Sequence, residues 1–194
     1  KIWHCLNVDQ EVFDAAKTWI ELCDFVPAVL AGKTRPSEIV RGRCAAGHKA
    51  MFSQEWGGLP TRKFFRELSP ELADLRDDLF DTTSTSDQEV GKISRKWANK
   101  LNLPKEVSIA VGAFDAHLGA VGAGVKENRL VKIIGTSTCD IIIAKEVHDD
   151  IPGICGSVDG SVVPGYIGLE AGQSAVGDIF NWFVNIINPG PDQQ

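Results

Sequence analysis

The 194-residue sequence has no apolar run long enough to cross a bilayer, since stretches such as 107–112 and 141–144 fall far short of the roughly 20 residues a spanning helix needs. Its amino terminus lacks the charged-then-apolar pattern of a secretion signal. No membrane partner is expected, and a cytoplasmic location follows by default. A basic stripe is missing too: 20 basic and 26 acidic side chains are scattered along the chain for a formal net charge of -6, which leaves nothing to track a phosphate backbone and argues against nucleic acid as a partner. Five cysteines (Cys5, Cys23, Cys44, Cys139, Cys155) are odd in number, widely spaced and without a C-x-x-C pair. That excludes a disulfide scaffold, and they read as reduced thiols, mostly buried. There is no internal repeat, no low-complexity segment and no G-x-x-x-x-G-K phosphate loop. The chain starts at Lys1 without a methionine and closes on Pro189-Gly-Pro-Asp-Gln-Gln194, boundaries that would suit an excised piece of something longer.

What is present divides by period. The 43% hydrophobic content is enough to close a core. A short helical stretch is expected at 11–16 and another helix from Asp24, which can cap it, with Pro27 in its first turn and Gly32 at its end. Residues 41–56 match no clean period and read as loop with short helix. Apolar residues at helical spacing follow over 60–68 and from 69 to about 80. Ser86-Asp-Gln-Glu89 has the form of a capping box, predicting a helix through Ile93, Trp97 and Leu101. After Pro104 the pattern changes. Residues 107–112 read as a buried strand and 114–125 as a tightly packed small-residue helix. Strands are expected at 129–134 and 140–144, a hairpin at 156–167 turning on Asp159-Gly160, and an amphipathic helix at about 173–187. The shift from helix-rich to strand-rich puts a boundary near 124–128.

Four features could carry chemistry. Asp115 follows an apolar strand in Gly112-Ala-Phe-Asp-Ala-His117, where a carboxylate can face an active-site crevice and serve as general base, or simply cap a helix. Gly135-Thr136-Ser137-Thr138 offers backbone N–H groups and three hydroxyls between two strands, a cradle for phosphate oxygens or an ordinary hairpin turn. Lys49 could hold a polar or anionic group, or be a solvated lysine. Glu170, expected just before a helix, could accept from sugar hydroxyls or favour the helix start. Cys44 and His48 stand at i and i+4, and Asp115 and His117 at i and i+2, but no third ligand joins either pair at a familiar zinc spacing. No metal site is assigned. Five tryptophans fall mostly on apolar faces and read as core.

Taken in order, several stretches resemble the FGGY family of carbohydrate kinases, and most closely its ribulokinase branch. They are Trp19-Ile-Glu-Leu-Cys-Asp24, Arg43-Cys-Ala-Ala-Gly-His-Lys-Ala50, Trp56-Gly-Gly58, Gly112-Ala-Phe-Asp-Ala-His-Leu-Gly119, Ile134-Gly-Thr-Ser-Thr-Cys139, Val163-Pro-Gly-Tyr166 and Gly168-Leu-Glu-Ala-Gly-Gln-Ser-Ala-Val-Gly-Asp178. The resemblance implies an α/β, actin-like ATPase fold of the ribonuclease H type, with residues 1–125 ending the first, sugar-binding lobe and 126–194 beginning the second, nucleotide-binding lobe. It implies Asp115 as catalytic base toward the 5-hydroxyl of ribulose, Lys49 and Glu170 as sugar contacts, and Gly135, Thr136, Ser137 and Thr138 against the phosphates of ATP accompanied by Mg2+. A homo-oligomer is compatible with it. The family's Asp-x-Gly-Thr loop and its glycine-rich adenosine segment are not in these 194 residues, so weak or absent kinase activity is expected of this stretch alone.

Two other classes compete. A non-catalytic actin-like binding or regulatory module would share the scaffold, because fold does not dictate function. A zinc or thiol hydrolase built on Cys44, His48 and His117 requires those side chains within ligand distance of one another.

Overall fold

The computed structural model describes residues 1–147 and 151–188, and the closing segment 189–194 lies outside them. Two short helices come first, α1 (Ile2–Val8) and α2 (Gln10–Ala15), with Asp9 between them accepting from the Val12 N–H at 3.2 Å as the cap of α2. Helix α3 (Leu22–Ala31) ends at Gly32, whose φ of 76° gives the left-handed cap expected there. Asp24 does not cap α3. It lies buried in the first turn, where its Oδ1 accepts from the Gly42 N–H at 2.8 Å and anchors the start of α4 (Arg43–Ala50). Pro27 also lies in the body of α3 instead of its first turn. Lacking an N–H, it frees the Cys23 carbonyl from its helical partner. The Gly112 backbone packs so close to that oxygen that a Cβ would stand 1.9 Å from it.

Thr61 caps α5 (Arg62–Leu68), and Pro70 opens α6 (Pro70–Leu75). Leu6, Phe65, Leu72 and Ala73 close a small core between these helices and α1. A second cluster sets Ala46 of α4 against Phe52 and Leu59. The capping-box expectation at Ser86 fails: residues there lead into strand β1 (Glu89–Lys92), and the helix α7 (Arg95–Leu101) starts later, capped by Ser94, whose Oγ accepts from the Trp97 N–H. Strand β2 (Ser108–Ala110) pairs antiparallel with β1. It is shorter than expected and exposed at two of its three positions, so the buried residue of this run is Val111.

Helix α8 (Asp115–Gly122) leads to a four-stranded antiparallel sheet made by β3 (Val131–Ile134), β4 (Thr138–Ala144), β5 (Gly156–Asp159) and β6 (Ile167–Gln173), in the order β3-β4-β6-β5. The link from β5 to β6 begins at Gly160, at φ 69°, but spans 160–166 and is no two-residue turn. Ala120 of α8 is fully buried with Val131, Ile141, Ile143 and Val162, so α8 completes the core of this sheet. Burying a side chain such as Ile141 contributes about 1.5–3 kcal/mol. Helix α9 (Val176–Ile187) begins after β6 and leaves Phe180, Trp182, Phe183 and Ile187 exposed. Of the thiols, Cys44 alone is buried, Cys5, Cys23 and Cys139 are half-buried and Cys155 is exposed, fewer in the interior than expected.

Candidate active site

The start of α8 is held from two sides by glycine contacts. Gly112 rests on the Cys23 carbonyl, and a Cβ on Gly42 would meet the Gly112 carbonyl oxygen at 2.5 Å. Only hydrogen at those Cα atoms lets the segment entering α8 nest between α3 and α4. Asp115 is the first residue of α8, with its carboxylate exposed and its Oδ1 accepting from the Ala116 N–H at 2.9 Å. Asp115 is thus the first helical residue and not the cap, which is Phe114; its carboxylate stands at a helix start, on an exposed residue.

Lys49 lies in the last turn of α4, exposed, with its Nζ 5.1 Å from the centre of the Phe114 ring. Among the described residues it has no carboxylate within ion-pair distance. A ring face stabilises the ammonium without neutralising it. Glu170 does not precede a helix. It sits inside β6, paired with Ile141 on one side and Gly156 on the other, and its side chain points to two buried imidazoles. His48 Nδ1 lies 3.3 Å from Glu170 Oε2, His117 Nε2 lies 3.5 Å from the same oxygen, and the two Nε2 atoms are 3.1 Å apart. Asp115, Lys49 and Glu170, far apart in sequence and carried by α8, α4 and β6, thus converge around Phe114 and His117.

Burial, the largest cause for each, holds both imidazoles below the ordinary histidine range; the neighbouring His117 depresses His48 further, and the Glu170 carboxylate works the other way on both. Cys44 Sγ joins them: the donor atoms of Cys44, His48 and His117 all lie within 4.8 Å of one another, a meeting that their sequence spacing did not disclose. Burial pushes the Cys44 thiol up to about 11, which disfavours the thiolate a metal or a thiol nucleophile needs. Burial, followed by the Glu170 charge, likewise pushes Cys139 up to about 12.

The turn between β3 and β4 divides the expected phosphate cradle. Gly135, Thr136 and Ser137 are exposed, whereas Thr138 is buried as the first residue of β4, so its hydroxyl is not presented with the others. The Gly135 N–H donates to the Ser137 carbonyl at 2.8 Å, and the Gly177 N–H at the start of α9 donates to the Gly135 and Thr136 carbonyls. The N–H groups of Thr136 and Ser137 donate to no described backbone carbonyl, and both residues are exposed. A cavity of about 700 Å3 is lined by residues 36–41, 77–82 and Ser84 and contains none of Asp115, Lys49 or Glu170. That cavity has charged walls of its own, among them Arg41, Asp77, Asp78 and Asp81, and is separate from the converging Asp115, Lys49 and Glu170, which form the candidate site.

Residues 130–191 match the C-terminal domain of the FGGY family of carbohydrate kinases. The chain is 52% identical over 182 residues to a ribulokinase of Vibrio parahaemolyticus and 40% identical over 190 residues to one of Shouchella clausii, covering 92% and 95% of this chain. It spans about a third (32%) of the length of either. Among solved structures, the xylulose kinase of Rhodospirillum rubrum superposes with a TM-score of 0.78 at 19% identity, covering 98% of this chain and 36% of that one. A gluconate kinase of Lactobacillus acidophilus gives a TM-score of 0.75 at 18% identity over 98% of this chain and 36% of its own. The architecture is the α/β, actin-like ATPase fold of those kinases. On sequence and fold together, the chain belongs to the FGGY family of carbohydrate kinases.

Proposed function

We propose that this chain carries the sugar-phosphorylating site of an ATP-dependent ribulokinase, an enzyme that transfers the γ-phosphoryl group of ATP to the 5-hydroxyl of ribulose and yields ribulose 5-phosphate. The observation that carries the reading is the convergence of Asp115, Lys49 and Glu170 from three separate elements. Its support from relatives is the name ribulokinase borne by the Vibrio parahaemolyticus and Shouchella clausii proteins. Residues 1–125 would then end the sugar-binding lobe and 126–194 begin the nucleotide-binding lobe.

In this reading the exposed Asp115 carboxylate accepts the proton of the 5-hydroxyl as the oxygen bonds to the γ-phosphorus and the bond to ADP breaks. Glu170 accepts hydrogen bonds from sugar hydroxyls, and Lys49, with no carboxylate within ion-pair distance among the described residues, balances negative charge on the sugar side. Thr136 and Ser137 present to the phosphates two N–H groups without a backbone acceptor among the described residues, and two hydroxyls, which suits an anion; Gly135 holds the turn open, and Thr138 supports it from within the sheet. ATP brings Mg2+, which neutralises phosphate charge. Phosphoryl transfer of this kind depends mostly on such positioning and charge balance. A cytoplasmic location and a homo-oligomer belong to the same proposal, and among the described residues no helix is long and apolar enough to cross a membrane. No observation specifically favours a non-catalytic module.

The test is ATP-dependent phosphorylation of ribulose by the natural full-length protein and by Asp115→Asn. The wild type should turn over, and the variant, folded by circular dichroism, should lose on the order of 10²–10⁴-fold in kcat. A folded wild type that phosphorylates no pentulose would overturn the reading.

A further inference from the structure

His48, His117 and Glu170 form a chain of contacts whose hydrogens can be assigned from the arrangement itself. Two imidazole nitrogens, His48 Nδ1 and His117 Nε2, face the same carboxylate oxygen at 3.3 and 3.5 Å. A lone pair pointed at an ionised carboxylate is repulsive, so both of these nitrogens should carry hydrogen. If His48 carries its hydrogen on Nδ1, its Nε2 is an acceptor, and it lies 3.1 Å from the His117 Nε2 that must donate. The pattern closes without contradiction: His117 Nε2–H to His48 Nε2, and His48 Nδ1–H to Glu170 Oε2. What is left over is His117 Nδ1, buried and without a partner among the described residues. In this tautomer it is a bare acceptor, and a buried unmet acceptor is tolerated better than a buried orphan N–H. The opposite tautomers would set two lone pairs against the carboxylate and bury an unmet donor.

We propose that His48 and His117 are positioning residues that form a two-imidazole relay, directing the Glu170 carboxylate toward the sugar. That Glu170 meets a sugar rests on the kinase reading; the relay and its tautomers do not. The supporting frame is tight. A Cβ on Gly156 would lie 2.4 Å from His48 Nδ1, so the β5 backbone lies directly against the imidazole and leaves its ring no room to move that way. The relay also joins α4 and α8 to β6, with Glu170 26% exposed at its open end and both histidine side chains at most 6% exposed at its closed end. One nitrogen of each imidazole and Cys44 Sγ could instead surround a metal ion, but that would need those two nitrogens without hydrogen and Cys44 as thiolate.

Long-range proton–nitrogen NMR spectra of the full-length protein, labelled with 15N at histidine, read the tautomers directly. His48 should appear as the Nδ1–H form and His117 as the Nε2–H form. The reverse assignment, or one equivalent of zinc retained after purification and measured by elemental analysis, overturns the relay. Kinetics supply the second arm. His48→Asn keeps a donor near the Nδ1 position, whereas His48→Phe keeps only the ring shape. The sugar KM should rise about tenfold in His48→Phe with the ATP KM unchanged, and stay within about threefold of wild type in His48→Asn. Equal sugar KM values in the two variants overturn the relay. If the wild type phosphorylates no sugar, the kinase reading falls, and the NMR assignment alone decides the relay.

Discussion

Asp24 shows how burial and hydrogen bonding compete at one carboxyl. Burial, the largest influence, pushes it up to about 6, against the Gly42 N–H and the Arg41 charge, which pull it down. Because that value lies above the ordinary carboxylate range near 4, Asp24 favours the fold at low pH and its contribution is lost as pH rises through about 6. His48 and His117 behave oppositely. Kept neutral by burial, they contribute fully above roughly pH 6.5 and lose that contribution as pH falls and the unfolded chain takes up protons. Between pH 7.5 and 6 the histidines should dominate, so the urea midpoint should fall across that range. A His48→Asn/His117→Gln double variant should flatten the dependence; a slope equal to that of wild type would contradict it. Asp115, Lys49, Glu170 and the 135–137 turn could be singled out from the chain itself, because each stands in a short motif. The relay could not, since it depends on contacts between residues 48, 117 and 170 that no local spacing encodes.

Helices were the more legible elements, because capping and apolar period are local. Thr61 and Ser94 cap where a hydroxyl precedes a periodic run. Ser86 has the same local signature, but Glu89–Lys92 is drawn into a strand by pairing with Ser108–Ala110, a distant partner. Glu170 was misplaced for the same reason: Gly168, Ala171 and Gly172 look unlike a strand until β4 and β5 flank them. The seam between α4 and β5 is equally nonlocal. A Cβ on Gly47 would lie 2.4 Å from Val158 Cγ1, so the helix backbone contacts that side chain directly. Nearby, Arg43 Nη1 reaches Asp159 Oδ2 at 3.5 Å across the same seam. Gly47→Ala should therefore cost about 1–3 kcal/mol in urea unfolding despite the better helix propensity of alanine. A stabilised variant would show that the seam has slack.

At the scale of the molecule, α9 carries an exposed apolar face among the described residues. Phe180, Trp182, Phe183, Ile186 and Ile187 are exposed on one twelve-residue helix, a contiguous apolar surface of the kind that drives association. The polypeptide 1–194 should self-associate with rising concentration in sedimentation velocity, and Trp182→Glu/Phe183→Lys should shift it toward monomer. A monomer at every concentration would rule this out. The change from helix-rich to strand-rich text was readable near 124–128, but the core does not respect that line, because Ala120 of α8 is buried among residues of β3, β4 and the β5–β6 link. In the proposed reaction, α8 works as a short lever with its fulcrum in the sheet at Ala120 and its working end at Asp115. The arm from Ala120 to Asp115 is about 7.5 Å, so a tilt of roughly 8° moves the carboxylate by about 1 Å, an error that can cost about a hundredfold in rate. Ala120→Val, wedged at the fulcrum, should lower kcat in the full-length enzyme while leaving the sugar KM nearly unchanged. The aim of the proposed base would then be governed by the packing of α8 on the sheet, five residues along the helix from the carboxylate.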